Sequence, residues 1–240
     1  MSAVANRQPP VQQAPPAQRL RLRYAKRGPA RFTSHRDFSR AFERALRRAD
    51  IPMAYSSGFS PHPRISYANA SPTGAATEAE YLELGLSTEC DPEAVKDSLN
   101  SALPPGMEVL AVVPATKVPF AELLTASTWR MDVTGVDPGA IESAVAALLE
   151  ADEVLVERMT KSGLRTFDAR GAVVSLAVTG PAQVTVVSLQ QTPLVRPDDV
   201  VSALKLVEPR FAPTAPTLFT RLDQGPLVDG AVGDPFADRA

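Results

Sequence analysis

From Arg19 the chain alternates as RLRLRY, with Leu20, Leu22 and Tyr24 on one side and Arg19, Arg21 and Arg23 on the other. That period of two predicts a strand whose apolar face is covered and whose arginine face is not. Over residues 35–49 the spacing lengthens. Phe38, Ala41, Phe42, Ala45, Leu46 and Ala49 then fall on one helical stripe, and Ser34 followed by Asp37 supplies a cap. Short apolar runs at 53–56 and 64–68 flank a proline-rich loop, alternation returns in AEYLELGL (79–86), and Asp91-Pro92 opens a helix over 92–102. MEVLAVVPA (107–115) reads as a closing strand.

The same order then starts again. STWRMDVTG (127–135) predicts a strand, and Asp137-Pro138 caps a helix over 138–151. Strands follow at 153–159, 172–178 and 183–189, with a small hairpin or turn in 161–170. A helix over 197–206 and a strand over 217–223 complete the second half. Two β-α-β-β-α-β series predict an α+β protein of two ferredoxin-like units in tandem, each an antiparallel sheet with helices on one face. The units span 19–116 and 125–223. Residues 1–18, rich in Pro, Gln and Ala, and the Gly-, Pro- and Asp-rich tail 224–240 are expected to be disordered.

Charge changes this picture. The net charge of −2 conceals a split: Arg19 to Arg64 holds twelve Lys or Arg against three acidic residues, whereas the chain beyond carries twelve basic and 24 acidic residues. Such a split predicts either a dedicated polyanion surface or a basic half docked on the acidic half. Arg36, Arg40, Arg44, Arg47 and Arg48 occupy the faces of the first helix left by the apolar stripe, with only Glu43 among them. A planar guanidinium binds phosphate bidentately, which favours RNA as the partner. The expected groove combines Arg19, Arg21 and Arg23 with Arg40, Arg44, Arg47 and Arg64; the Phe59–Arg64 loop, His62 included, shapes one edge of it, and Phe59 stacks on a base.

Other chemistry is sparse. Cys90 is the single cysteine and His35 and His62 the only histidines, so neither an iron–sulfur cluster nor a zinc site can be closed by this chain, and no cofactor or metal is expected. No apolar run reaches a membrane span and the N-terminus shows no signal pattern, which predicts a cytoplasmic protein with no membrane partner. His35 falls in the first turn of the arginine helix, where the helix dipole favours the neutral ring. His62 sits between Pro61 and Pro63, which confine it to an extended backbone. As acid and base the two histidines would make a metal-independent endoribonuclease or RNA-modifying enzyme. The other reading of His62 is architectural, with its ring N–H donated to a nearby carbonyl or carboxylate.

The stretch FTSHRDFSRAFERALRRADIPMAYSSGFSPHPRISYA, followed by EAEYLELGL, resembles the radical SAM-associated (radical SAM-linked) bacterial domain of unknown function in its stand-alone form. The resemblance rests on Phe32, His35, Asp37, Arg40, Arg44, Arg48, Gly58, Phe59, Pro61, His62, Pro63, Arg64, Ser66, Glu80 and Tyr81, and extends to Asp168 and Arg170 in the second half. Ser60 stands where the family usually has Asn, and NASPTG (69–74) replaces a more apolar stretch. The resemblance implies association with a separate radical SAM protein. The expectation is a non-catalytic RNA-binding accessory protein, tied to RNA modification or ribosome-related metabolism. The endoribonuclease and a protein–protein adaptor with an acidic partner are the alternatives.

Overall fold

The computed structural model describes residues 12–161 and 163–237. The chain runs β1 (Gln18–Lys26), α1 (His35–Arg48), β2 (Ile65–Ala68), β3 (Ala76–Leu86), α2 (Pro92–Ala102) and β4 (Met107–Pro114). A short α3 (Phe120–Leu123) leads into β5 (Ala126–Asp132), α4 (Pro138–Glu150), β6 (Leu155–Thr160) and β7 (Gly163–Asp168). Then come β8 (Val173–Gly180), β9 (Gln183–Leu189), α5 (Pro197–Val207), β10 (Leu218–Gly225), β11 (Leu227–Val228) and β12 (Ala231–Val232).

The result is a mixed α/β protein built on one large, mostly antiparallel sheet in the order β4-β1-β3-β10-β5-β9-β8, with β2 also paired to β3. The expectation of two units with separate sheets is not met: strands from both halves share one sheet. β3 is long enough to serve two partners along one edge. Its residues Tyr81–Leu84 pair with β2, and its start, Ala76 and Thr77, pairs in parallel with Thr220 and Arg221 of β10. β6 and β7 form their own hairpin off the main sheet, so of the hairpin or turn expected in 161–170 the hairpin forms, with Gly163–Asp168 as its second strand.

Local chemistry explains the elements. Ser34 Oγ accepts from Asp37 N–H (3.2 Å) and starts α1. The helix ends in a Schellman turn, with Ile51 N–H on the Leu46 carbonyl and Asp50 in the left-handed region at φ 50°. Its stripe of Phe38, Phe42, Ala45 and Leu46 packs against Leu20, Leu22 and Tyr24 of β1. A second core joins Trp129, Met131 and Val133 of β5 to α4 and α5. Both cores lie on the helix side of the sheet.

The opposite face was expected to stand open, and part of it does not. Tyr81 is roofed by Phe120 of the inter-half segment and by Phe236, which is 5% exposed, the three rings meeting edge-on and stacked. The expected disordered tail is therefore structured over 224–237: Gln224 and Gly225 finish β10, β11 and β12 form a hairpin, and Phe236 seals the sheet. Residues Pro and Asp in that tail read as disorder by composition, but one phenylalanine with an apolar dock outweighs them. At the other end, residues 1–11 lie outside the described residues. Ala17 extends the β1 pairing to the Leu86 carbonyl, and Pro16 lies over Gly85, where a Cβ would meet its Cγ at 2.9 Å.

Candidate nucleic-acid interface

The β1 arginines stand on the face away from the helices, as their alternation requires. Their neighbours there use them up. Arg21 is 3% exposed; its Nε donates to Glu83 (3.1 Å), its Nη1 to Thr116 (3.1 Å), and its guanidinium lies over the Phe120 ring at 4.6 Å. Arg23 donates to the Glu78 carbonyl (2.7 Å) and pairs with Asp223 (3.0 Å). Arg19 reaches Glu83 at 3.3 Å and keeps most of its side chain in water. Arg27 is bonded to Glu78 and Glu108, and both contacts push its guanidinium pKa further up. For this strand, docking of basic on acidic residues wins. The expectation that Arg21 is exposed is overturned, because Glu83 sits directly across in the β1–β3 register and residues 114–120 fold over the pair.

A cleft of about 510 Å³ remains beside it, bordered by Arg19, Ser66, Glu83, Lys117 and Phe120. It continues into a groove of about 300 Å³ between Pro16, Arg19, Arg64 and Gly85. Arg64 is half-buried there, with Nε donating to the Tyr55 carbonyl at 3.1 Å.

The α1 arginines are on the other side of the sheet, so the single groove expected from sequence does not form. Arg36, Arg40, Arg44 and Arg47 lie at successive spacings of four, four and three residues, which puts them in one stripe about 16 Å long, opposite the buried stripe. All four are exposed. Among the described residues Arg36, Arg40 and Arg44 have no hydrogen-bonding or ionic partner, and Arg47 has a loose 3.9 Å contact with Glu43. Arg48 instead donates to the Ala102 carbonyl at 3.1 Å. Phe32, 67% exposed, stands just before the helix cap with the Arg31 guanidinium 5.7 Å from its ring centre. Sequence reasoning did not pick Phe32 as a contact residue. The available signal was its position two residues before Ser34, where no helical or strand pattern buries it.

The proline-clamped loop is a small hairpin. Ser56 N–H donates to the His62 carbonyl (2.8 Å), His62 N–H donates to Ser56 Oγ (3.0 Å), and Tyr55 bridges Pro63. Phe59 sits at its tip, 71% exposed. The backbone of His62, not its ring, holds the loop. The imidazole is exposed and has no partner among the described residues, so the expected ring N–H bond is absent. The reason is geometric: the prolines turn the side chain outward while the main chain closes the ladder. His35 is also exposed and meets Tyr67 edge-on at 4.8 Å. The two histidines are not in contact. His35 rests on the far end of β2 and His62 precedes its start, which separates them by the length of that strand, on the order of 15 Å.

Asp168 and Arg170 form a clamp at the start of β8. The Asp168 carboxylate accepts from Val154, Arg170 and Gly171 N–H at 2.8–2.9 Å, and Arg170 donates to the carbonyls of Val173 and Leu149. Every polar atom of that pair except Arg170 Nε is spent on backbone.

The two faces of the sheet thus differ: the strand arginines are committed to partners within the chain, and the arginines along α1 face solvent. Residues 19–197 match the family described as "Uncharacterized protein conserved in bacteria (DUF2344)", and the chain belongs to that family. No curated protein matches the chain. A solved structure described as an unknown protein from Galdieria sulphuraria is similar over 88% of this chain and 99% of that one, at 15% identity. Its TM-score of 0.27 is too low to transfer a fold.

Proposed function

We propose that the protein is a non-catalytic RNA-binding accessory protein whose contact surface is the arginine stripe of α1. One observation carries the reading: among the described residues three of the four stripe arginines are exposed and unpartnered, whereas most of the other described arginines pair with carboxylates or carbonyls. Cations left free in a row at phosphate-like spacing favour a polyanion by counterion release. Phe32 at the head of the stripe adds a stacking surface, which favours unpaired over duplex RNA. Association with a separate radical SAM protein in the cytoplasm belongs to the same proposal and rests on the resemblance of the helix and loop motifs. We also read each half as a ferredoxin-like unit, because β4-β1-β3-β2 and β10-β5-β9-β8 are the same permutation of four strands.

The test is binding of a labelled unpaired oligoribonucleotide to the wild type and to Arg36→Glu/Arg40→Glu/Arg44→Glu. Wild-type binding lost in the folded triple variant supports the reading, and unchanged affinity ends it. Tight binding of an acidic polypeptide with none of RNA favours the adaptor instead. The radical SAM association is checked separately, by anaerobic pull-down with the tagged protein and iron–sulfur absorbance of what elutes.

A further inference from the structure

On the helix side of the sheet, between the two halves, lies a cavity of about 210 Å³. Trp129 forms part of its lining, with Val195 and Pro197 at the start of α5 to one side and the 69–72 loop to the other. Polar side chains occupy a sheet face that is otherwise apolar. Ser127 pairs with Ser188 across β5 and β9 and with Gln224 across β5 and β10, and Arg221 pairs with Trp129 one row along. All of these polar residues are more than nine-tenths buried. Ser127, Ser188 and Arg221 line the cavity.

Their hydrogen-bonding capacity is not used up within the chain. Arg221 Nη1 donates to the Asn69 carbonyl and Nη2 to Glu80, both at 2.7 Å, but its Nε–H has no partner among the described residues. Both ends of the neighbouring Gln224 amide, which is not part of the cavity lining, are also without one among the described residues. The Ser127 and Ser188 hydroxyls make no hydrogen bond among the described residues and are open to the cavity. A buried donor such as Arg221 Nε is rarely left so, because the desolvation cost is then uncompensated. Arg221 Nε and the two serine hydroxyls on the cavity wall mark a site that an occupant completes.

We propose that this cavity binds a nucleobase. Its volume lies below the range of roughly 300 Å³ and upward that holds drug-sized molecules, which suits one planar ring system and not a whole nucleotide. Its buried cation is already neutralised, since Arg221 and Glu80 form an ion pair, so a charged occupant would go in uncompensated. A base is uncharged at neutral pH. The two hydroxyls each offer a donor and an acceptor, and Arg221 Nε offers a donor, which matches the mixed edge of a base. Trp129, Val195 and Pro197 supply apolar surface for its faces. Arg196, exposed and also lining the cavity, is placed for a sugar-phosphate left outside.

The base has two possible sources, a free nucleoside or nucleotide and an unpaired residue of RNA. The second source rests on the proposed function. It has a route: Tyr67, against which His35 packs at the start of α1, stands two residues before Asn69 of the cavity wall.

Trp129 is the only tryptophan, so fluorescence excited at its red edge reports on this cavity alone. The full-length protein is titrated with adenosine, guanosine, cytidine and uridine, with their 5′-monophosphates, and with a short unpaired oligoribonucleotide. A saturable change with at least one of them is expected, weakened tenfold or more in Ser188→Leu, which fills the cavity. Ser127→Ala/Ser188→Ala, which only removes hydroxyls, should weaken binding severalfold and serves if the leucine variant does not fold. Response to the oligonucleotide alone assigns an RNA base, and response to nucleosides alone assigns a free-ligand site. Arg36→Glu/Arg40→Glu/Arg44→Glu should lose RNA yet keep any nucleoside response, which separates failure of the helix reading from failure of the cavity. No saturable change with any ligand, or equal affinity in the serine variants, overturns the proposal.

Discussion

Glu80 Oε1 accepts from Arg221 Nη2 at 2.7 Å, with side chains 1% and 3% exposed, and this pair joins β3 of the first half to β10 of the second. Glu80 also accepts from Ser71 N–H at 3.0 Å, and Arg221 holds the Asn69 carbonyl, so the loop leading into β3 is fastened by the same two residues. Among the described residues only two register pairs connect the half-sheets through the backbone. The ion pair is therefore a principal fastening between them. Glu80→Gln leaves a buried guanidinium charge uncompensated and should cost about 3–5 kcal/mol in chemical denaturation. Glu80→Leu/Arg221→Met removes both charges and should recover much of that loss. A double variant as unstable as the sum of its singles would show that the two charges do not act together.

The two arginine sets should respond differently to charge reversal. Arg36→Glu/Arg40→Glu/Arg44→Glu should leave the unfolding midpoint nearly unchanged and abolish RNA binding. Arg21→Glu should lower the midpoint, because it buries a second carboxylate beside Glu83. If the wild type neutralises four phosphates, the log–log salt slope for single strands should be near −3, from about 0.7 per phosphate. A slope near zero would remove the stripe from the reading.

Phe32→Ala tests the stacking surface. The ring is mostly exposed, so stability should change little, and affinity for unpaired RNA should fall by about 1–3 kcal/mol. Equal loss of affinity for duplex and unpaired RNA would mean that the ring shapes the helix start and does not stack.

Removal of the Phe236 ring should expose Tyr81 and Phe120 together. Phe236→Ala is expected to cost about 3 kcal/mol and to raise protease cleavage in the segment around Phe120. An unchanged unfolding midpoint would show that the tail does not hold the sheet in solution.

Alkaline titration gives a further check. Burial, with the nearby Glu80 charge next in size, raises the Tyr24 phenol well above its ordinary value of 10.0. Burial likewise pushes Tyr81 up to about 12 and raises Tyr67. For each, the neutral form is favoured in the folded protein. That stability is fully present below pH 10 and declines as pH rises through the folded value. Phenolate absorbance of the native chain should lag that of the unfolded chain above pH 10, and stability should drop over the same interval. Native and unfolded curves that coincide would refute the buried positions.

The local elements were legible because short-range rules decide them. The alternation in RLRLRY, the Ser34 cap, the Pro92, Pro138 and Pro197 helix starts and the stripe through Phe42 all appear where their spacing puts them. The opposite facing of Arg21 and Leu22 was equally readable, since a strand's side chains alternate whatever surrounds it. Which arginines would be free was not readable. Arg21 and Arg44 look alike along the chain, and the difference between them is Glu83, sixty-two residues from Arg21, carried alongside by a strand register. The separation of the two arginine sets by a sheet, the outward turn of His62 and the docking of Phe236 on Tyr81 are likewise long-range outcomes. Local patterns of one chain set propensity and facing. Pairing between distant strands sets which charge meets which, because ion pairs and burial depend on distance in space and not on separation along the sequence.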